Sequence, residues 1–124
     1  MHHPHLDVMR RWFSAFETGD MDAAQAVVTS DVVLHVTHPA ELAGRYEGFE
    51  GFLAFYARKR AHSGAGFSWE VDDILVSDRH AGAVFTLTDG RPGRPPWKQV
   101  AIYRIEDGRI AEIRLVEEPG DASG

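Results

Sequence analysis

The groups in this 124-residue chain best suited to moving a proton near neutral pH are His35 and His38, with Glu41 three residues further on. An imidazole titrates close to physiological pH, so either histidine is a candidate catalytic base or acid in an apolar pocket. His35 sits in the run Asp31 to Thr37 (DVVLHVT), whose β-branched residues predict a strand. Val32, Leu34 and Val36 make one alternating face of it, which turns His35 to the other face with Val33 and Thr37. His35 therefore reads either as a pocket base or as a half-buried or interface histidine. His38, beside Pro39 at the strand's end, reads either as closing a pocket mouth or as a loop residue. The same three side chains are types that zinc accepts, but their spacing is not a helical i, i+4 pair and no second cluster joins them, so no metal and no cofactor is assigned. The chain has no cysteine, which excludes thiolate nucleophiles, iron–sulfur ligation and cysteine zinc sites together. His2, His3 and His5 read as a frayed N-terminus, and His62 and His80 as solvated residues in or beside turns.

The elements that must position these groups follow from periodicity. Leu6, Met9, Trp12, Phe13 and Phe16 recur at spacings of three and four and predict one buried helical stripe, ended by Gly19. Asp20 reads as the N-cap of a short second helix with Met21, Ala24, Val27 and Val28 inside. A polar stretch from His38 to Gly48 follows the first strand. A third helix is marked by Phe49, Phe52, Leu53, Phe55, Tyr56 and Ala57, and it is closed by Arg58-Lys59-Arg60, read as a solvated basic end where cations favour the helix dipole. After Gly66 everything is extended: Phe67 to Val76, Ala81 to Thr88, Trp97 to Ile105 and Arg109 to Val116 are four strands bounded by turn residues. Asp107-Gly108 predicts a tight hairpin between the last two. Residues 1–118 read as one domain and 119–124 as a mobile tail.

Composition narrows the function classes. A net charge of −6 disfavours a phosphate backbone as partner, so nucleic acid is not expected. No apolar run approaches the roughly 20 residues that span a bilayer, so no membrane is expected either. The N-terminus lacks the apolar h-region of a signal peptide, which makes the cytoplasm the expected location. Asparagine is absent and Arg outnumbers Lys by eleven to two, a pattern of GC-rich, bacterial coding.

The order of elements, two helices, a strand, a third helix and a run of long antiparallel strands, is that of an α+β fold. Four segments carry a closer resemblance: residues 13–20 (FSAFETGD), residues 31–35 (DVVLH), residues 44–48 (GRYEG), and residues 103–112 (YRIEDGRIAE). Together they resemble the SnoaL-like branch of the nuclear transport factor 2-like superfamily. The resemblance implies a cone-shaped α+β barrel, with three N-terminal-half helices packed on a curved, mostly antiparallel sheet around a pocket. It also implies a homodimer through the outer sheet face and a small hydrophobic molecule as partner.

That resemblance makes strand parity informative. Trp97, Gln99, Ala101 and Tyr103 share one face of the penultimate strand, the face that looks into the pocket in relatives, and Ala111, Ile113, Leu115 and Glu117 share it in the last strand. Ketosteroid isomerase-like members carry a carboxylate base, a tyrosine and a carboxylic acid where this chain has Val36, Trp12 and Ala101. SnoaL-type cyclases carry an aspartate where it has Leu115. The Asp-Arg-Asp trio of the fold's epoxide hydrolases has no counterpart, because adjacency sends Asp72 and Asp73 to opposite faces. Trp12, Phe16, Val36, Phe55, Trp69, Phe85, Trp97, Gln99, Tyr103 and Leu115 are the expected substrate-binding residues, with His35 and His38 the expected catalytic ones. The activity implied is acid/base catalysis of the cyclase, isomerase, dehydratase or hydrolase kind on a small hydrophobic substrate. The alternative is a ligand-binding or dimerisation domain without catalysis.

Overall fold

A computed structural model describes residues 3–37, 40–63, 67–88, 93 and 95–117. His2, His38 and the tail expected at 119–124 lie outside the described residues. The order of elements is α1 (Pro4–Thr18), α2 (Met21–Ala26), β1 (Val28–Val36), β2 (Gly44–Glu47), α3 (Gly48–Ser63), β3 (Ser68–Val76), β4 (His80–Thr88), β5 (Trp97–Glu106) and β6 (Arg109–Glu117).

Helix α1 starts where Pro4 needs no N–H partner and where His3, its N-cap, accepts a bond from the His5 backbone N–H. The expected frayed N-terminus is thus corrected for two of its histidines, since the His5 ring is also 2.8 Å from the Ser77 carbonyl. Gly19 ends the helix at φ 75, a left-handed conformation that costs glycine little. The Asp20 carboxylate then caps α2 by accepting from Ala23 N–H at 3.0 Å. This second helix is shorter than its sequence suggests: Val27 is its C-cap and Val28 already belongs to β1. The ladder captures them, with Ile110 N–H bonded to the Val27 carbonyl at 2.8 Å.

One six-stranded sheet runs in the order β2-β1-β6-β5-β4-β3. The β1–β6 pair is parallel and the other four are antiparallel. Strand β2 falls in the stretch read as polar and irregular; only four residues long, it carries no period-2 signal and exists because it pairs with the edge of β1. The helices cover the inner face, where Val8, Met9, Trp12 and Phe13 of α1 pack on Leu34, Leu87, Tyr103 and Ile113 of the strands. The outer face carries Lys98, Val100 and Ile102, all exposed. A β-bulge breaks alternation in β3 between Val71 and Asp73. It leaves Asp72 and Asp73 both exposed between the inward Val71 and Ile74, rather than on opposite faces. No helix among the described residues is long and apolar enough to cross a membrane.

Candidate functional site

Between the helices and the inner sheet face lies a cavity of about 80 Å³ lined largely by rings. Helix α1 contributes Trp12, Phe13 and Phe16; α3 contributes Phe52, Phe55, Tyr56 and Lys59; Trp69, Phe85, Leu87, Gln99, Tyr103, Ile113 and Leu115 come from the strands, and Phe67 precedes β3. The rings meet edge to face or tilted. Phe13 lies 5.7 Å from Phe85 and 6.1 Å from Trp69, and Trp12 lies 5.1 Å from Phe52. Such contacts hold ring walls in defined orientations and add to the energy of burial.

Polar atoms in this space are few, and their roles are set by geometry. The indole of Trp12 lies beside the Tyr103 phenol and, as a donor, favours the ionised form of that oxygen. An indole only donates, so the Tyr103 oxygen accepts and its own O–H is left to donate elsewhere. Burial pushes the Tyr103 phenol up from its ordinary value of 10.0, and the Trp12 bond only partly offsets this. Tyr103 is therefore a neutral donor across the physiological range. Trp69 makes the same arrangement with Tyr56, donating to its hydroxyl at 2.8 Å. Gln99 is 7% exposed, with its amide set among these rings. Lys59 is 5% exposed, with its ammonium 5.8 Å from the centre of the Trp97 ring.

Eight of the expected substrate-binding residues line the cavity: Trp12, Phe16, Phe55, Trp69, Phe85, Gln99, Tyr103 and Leu115. Val36 does not; it is buried in the core, paired in register with Leu115 across the parallel β1–β6 ladder. Trp97 is half-buried and reaches Lys59 without lining the space. His35 is a correction to the pocket-base reading. Alternation along β1 turns it to the outer face, where its Nε2 is 2.7 Å from Glu112 Oε2. Burial pushes the Glu112 carboxyl up, but bonds from Arg104 and His35 and the charge of Arg114 outweigh it and hold the group below its ordinary value. His38 lies outside the described residues. No group of three or more histidine, cysteine, aspartate or glutamate side chains able to hold a metal occurs among the described residues.

The largest correction concerns Lys59. The basic run 58–60 is not a uniformly solvated helix end: Arg58 and Arg60 are exposed, while Lys59 is buried against the cavity. The signal was present, since Phe52, Phe55, Tyr56 and Lys59 stand at i, i+3, i+4 and i+7, one stripe of a helix. Charge masked it. Phe13, Leu87 and Ile113 were likewise legible, by period, as inward residues of α1, β4 and β6.

Comparison with known proteins shows the family. Residues 9–113 match the model of the SnoaL-like domain, so the chain belongs to that family, within the nuclear transport factor 2-like superfamily. The family's fold hosts polyketide cyclases and isomerases. An uncharacterised protein of Mycobacterium tuberculosis, Rv0034, is 26% identical over 110 residues, covering 87% of this chain and 84% of its own. An NTF2-like protein of unknown function from Burkholderia pseudomallei superposes with a TM-score of 0.76 at 21% identity, covering 94% of this chain and 92% of that one. TerC, co-crystallised with polyporic acid, superposes with a TM-score of 0.78 at 14% identity, over 94% and 92% of the two chains. These structural likenesses are likenesses of fold.

Proposed function

We propose that this protein is a small-molecule pocket protein that takes a flat, unsaturated molecule carrying at least one carbonyl or hydroxyl oxygen. The observation that carries this reading is the Gln99 amide, set on a wall otherwise made largely of rings. An amide on an apolar wall gives a ligand oxygen a directed donor, and a hydrogen bond of that kind contributes about 0.5–1.5 kcal/mol. The ring walls supply the flat apolar surface, and Tyr103 and Tyr56 offer O–H donors already oriented by indoles. TerC supports the reading by analogy, since that protein of the same fold was co-crystallised with polyporic acid.

Chemistry in such a site is centred on oxygen. Phenol and amide groups can polarise a carbonyl or stabilise a developing oxyanion. No carboxylate or imidazole among the described residues lines the cavity, so proton abstraction by His35 is not the mechanism this geometry favours. The cavity, smaller than the roughly 300 Å³ of typical ligand pockets, fits a one-ring molecule with modest parting of its walls. The test is a thermal-shift screen of one-ring ketones, phenols and quinones against wild type, Gln99→Leu and His38→Ala. Binding weakened about tenfold by Gln99→Leu and unaltered by His38→Ala supports the reading; no ring compound binding at millimolar concentration refutes it.

We propose also that the outer sheet face pairs two copies of the chain. Val100, Ile102 and Val116 are exposed along β5 and β6. The charges flanking them are already neutralised within the chain, Lys98 by Asp72 at 2.9 Å and Arg114 by Glu112 at 3.3 Å. A second copy presents the same apolar strip with the same two-signed rim, which suits an isologous contact.

A further inference from the structure

Gly82 stands inside β4, paired in register with Leu75 of β3 on one side and Ile102 of β5 on the other. A glycine there weakens a strand, because it loses the most backbone freedom on folding and brings no side chain to the sheet. Within a chain such a glycine answers to a positive φ or to a neighbour too close for a Cβ. Gly82 answers to neither: its φ is not positive, and a Cβ built on it would meet only the Ala101 carbonyl oxygen among the described residues, at 3.7 Å, an ordinary contact. Gly51 is the contrast, since a Cβ there would sit 3.0 Å from the Tyr46 backbone carbon. A strand glycine that its own fold does not require marks a place where something outside the chain comes close to the backbone.

Gly82 faces outward between the buried Ala81 and Ala83. Leu75, 60% exposed, and Ile102, 41% exposed, flank it, and the half-buried Val84 with the exposed Val100 and Val116 continue the same apolar surface. The missing side chain leaves a notch in that surface. One margin of the patch is the Asp72, Thr86 and Lys98 cluster, where the Asp72 carboxylate accepts from Thr86 at 2.6 Å and from Lys98 at 2.9 Å. The other is the Arg104, Glu112 and Arg114 cluster, with both guanidinium contacts to Glu112 at 3.3 Å.

We infer that Gly82 is the seat of the contact between two copies of the chain: the notch receives Ile102 of the partner subunit, and the partner's Gly82 receives Ile102 in return. This rests on the pairing of outer faces proposed above and fixes its register. A two-fold axis running along the sheet between β4 and β5 exchanges those strands, so positions in register within one chain face each other across the contact. Gly82 is in register with Ile102, Val84 with Val100 and Thr86 with Lys98. The axis therefore sets the largest central side chain over the notch and valine over valine. It also sets Lys98 over a threonine rather than over a second Lys98, so like charges do not oppose. Each margin already joins cations to a carboxylate, which suits an identical copy better than a partner of strong single-sign charge.

The test is sedimentation velocity on wild type, Gly82→Ala, Gly82→Val and Gly82→Val with Ile102→Ala. Wild type is expected to dimerise at micromolar concentration. A filled notch is overpacked twice in a symmetric contact, so the dissociation constant should rise about threefold in Gly82→Ala and about thirtyfold or more in Gly82→Val. Shortening Ile102 in the Gly82→Val background should recover about tenfold of that loss, the sign opposite to what removing apolar surface does by itself. Far-UV circular dichroism checks that the variants are folded, and Gly82→Ala serves if Gly82→Val is not. Dimers as tight in both Gly82 variants as in wild type overturn the inference and leave the pairing of outer faces standing. Loss in Gly82→Val that Ile102→Ala deepens overturns it too, because the notch then holds another side chain. A monomeric wild type removes the pairing reading and the inference together.

Discussion

The Trp12–Tyr103 pair ties the first helix to the penultimate strand through the cavity wall, and Tyr103→Phe removes a single oxygen from it. The phenylalanine keeps the ring and its edge contact to Phe13, whose centroid is 6.4 Å away. What is lost is the phenol oxygen beside the Trp12 indole N–H, in a residue only 3% exposed. A buried donor left without a partner costs about 1–3 kcal/mol, and the middle of that range is about 2 kcal/mol. For a domain of this length about 1 kcal/mol corresponds to about 4 °C in melting temperature, so the variant is expected to melt about 8 °C lower. Trp12→Phe with Tyr103→Phe removes donor and acceptor together, so the two penalties do not add. A double-mutant cycle in urea is expected to give a coupling of about 1–2 kcal/mol. Alkaline titration gives a second measure. The folded-state phenol is raised above the unfolded value of 10.0, so its contribution is complete below pH 10 and is lost as pH rises from there toward the folded value. Tyr103→Phe should accordingly show a shallower loss of stability above pH 10 than wild type. A single variant within about 0.5 kcal/mol of wild type, with no coupling in the cycle, would refute the reasoning.

On the outer face, Glu112→Gln is expected to cost about 1 kcal/mol or less at pH 7, because the network is partly solvated. Glu112 is lowered below its ordinary 4.5 in the folded state, so the stability it contributes is present above that value and lost as pH falls through the folded one. The difference between variant and wild type in denaturant midpoint should therefore shrink at pH 3; a constant difference counts against the assignment. Ile102→Lys should convert a dimer to a monomer by light scattering at micromolar concentration without lowering the helical circular dichroism, and a monomeric wild type removes the pairing proposal. Gly51→Ala should destabilise by about 1 kcal/mol although alanine favours helices, because its Cβ would sit 3.0 Å from the Tyr46 backbone carbon; equal or higher stability would show that α3 shifts freely off β2.

Much of the inner face was legible from period alone. Gln99, Ala101 and Tyr103 alternate with Lys98, Val100 and Ile102, and the structure buries the first set and exposes the second. The same argument carried Leu34 inward and His35 outward, because unbroken alternation puts neighbouring side chains on opposite faces of a strand. The less legible parts are those where two principles compete. Lys59 obeys helical period against its charge, and Asp72 and Asp73 defy strand period because of a bulge. Strand β2 is a pairing partner supplied by the edge of β1 rather than a propensity of GRYE.

The sequence by itself determined the α+β order of elements, the family resemblance, the lack of thiol chemistry and the apolar character of the pocket wall, since each is a property of residue type and local spacing. Only the tertiary structure decided which polar groups meet inside that wall. Trp12 with Tyr103 and Tyr56 with Trp69 are pairs distant in the chain, and Lys59 and Gln99 line one space from different elements. They come together because the curvature of the sheet closes α1 and α3 over β3 to β6, and hydrogen-bond roles and desolvation depend on that closure rather than on sequence neighbours.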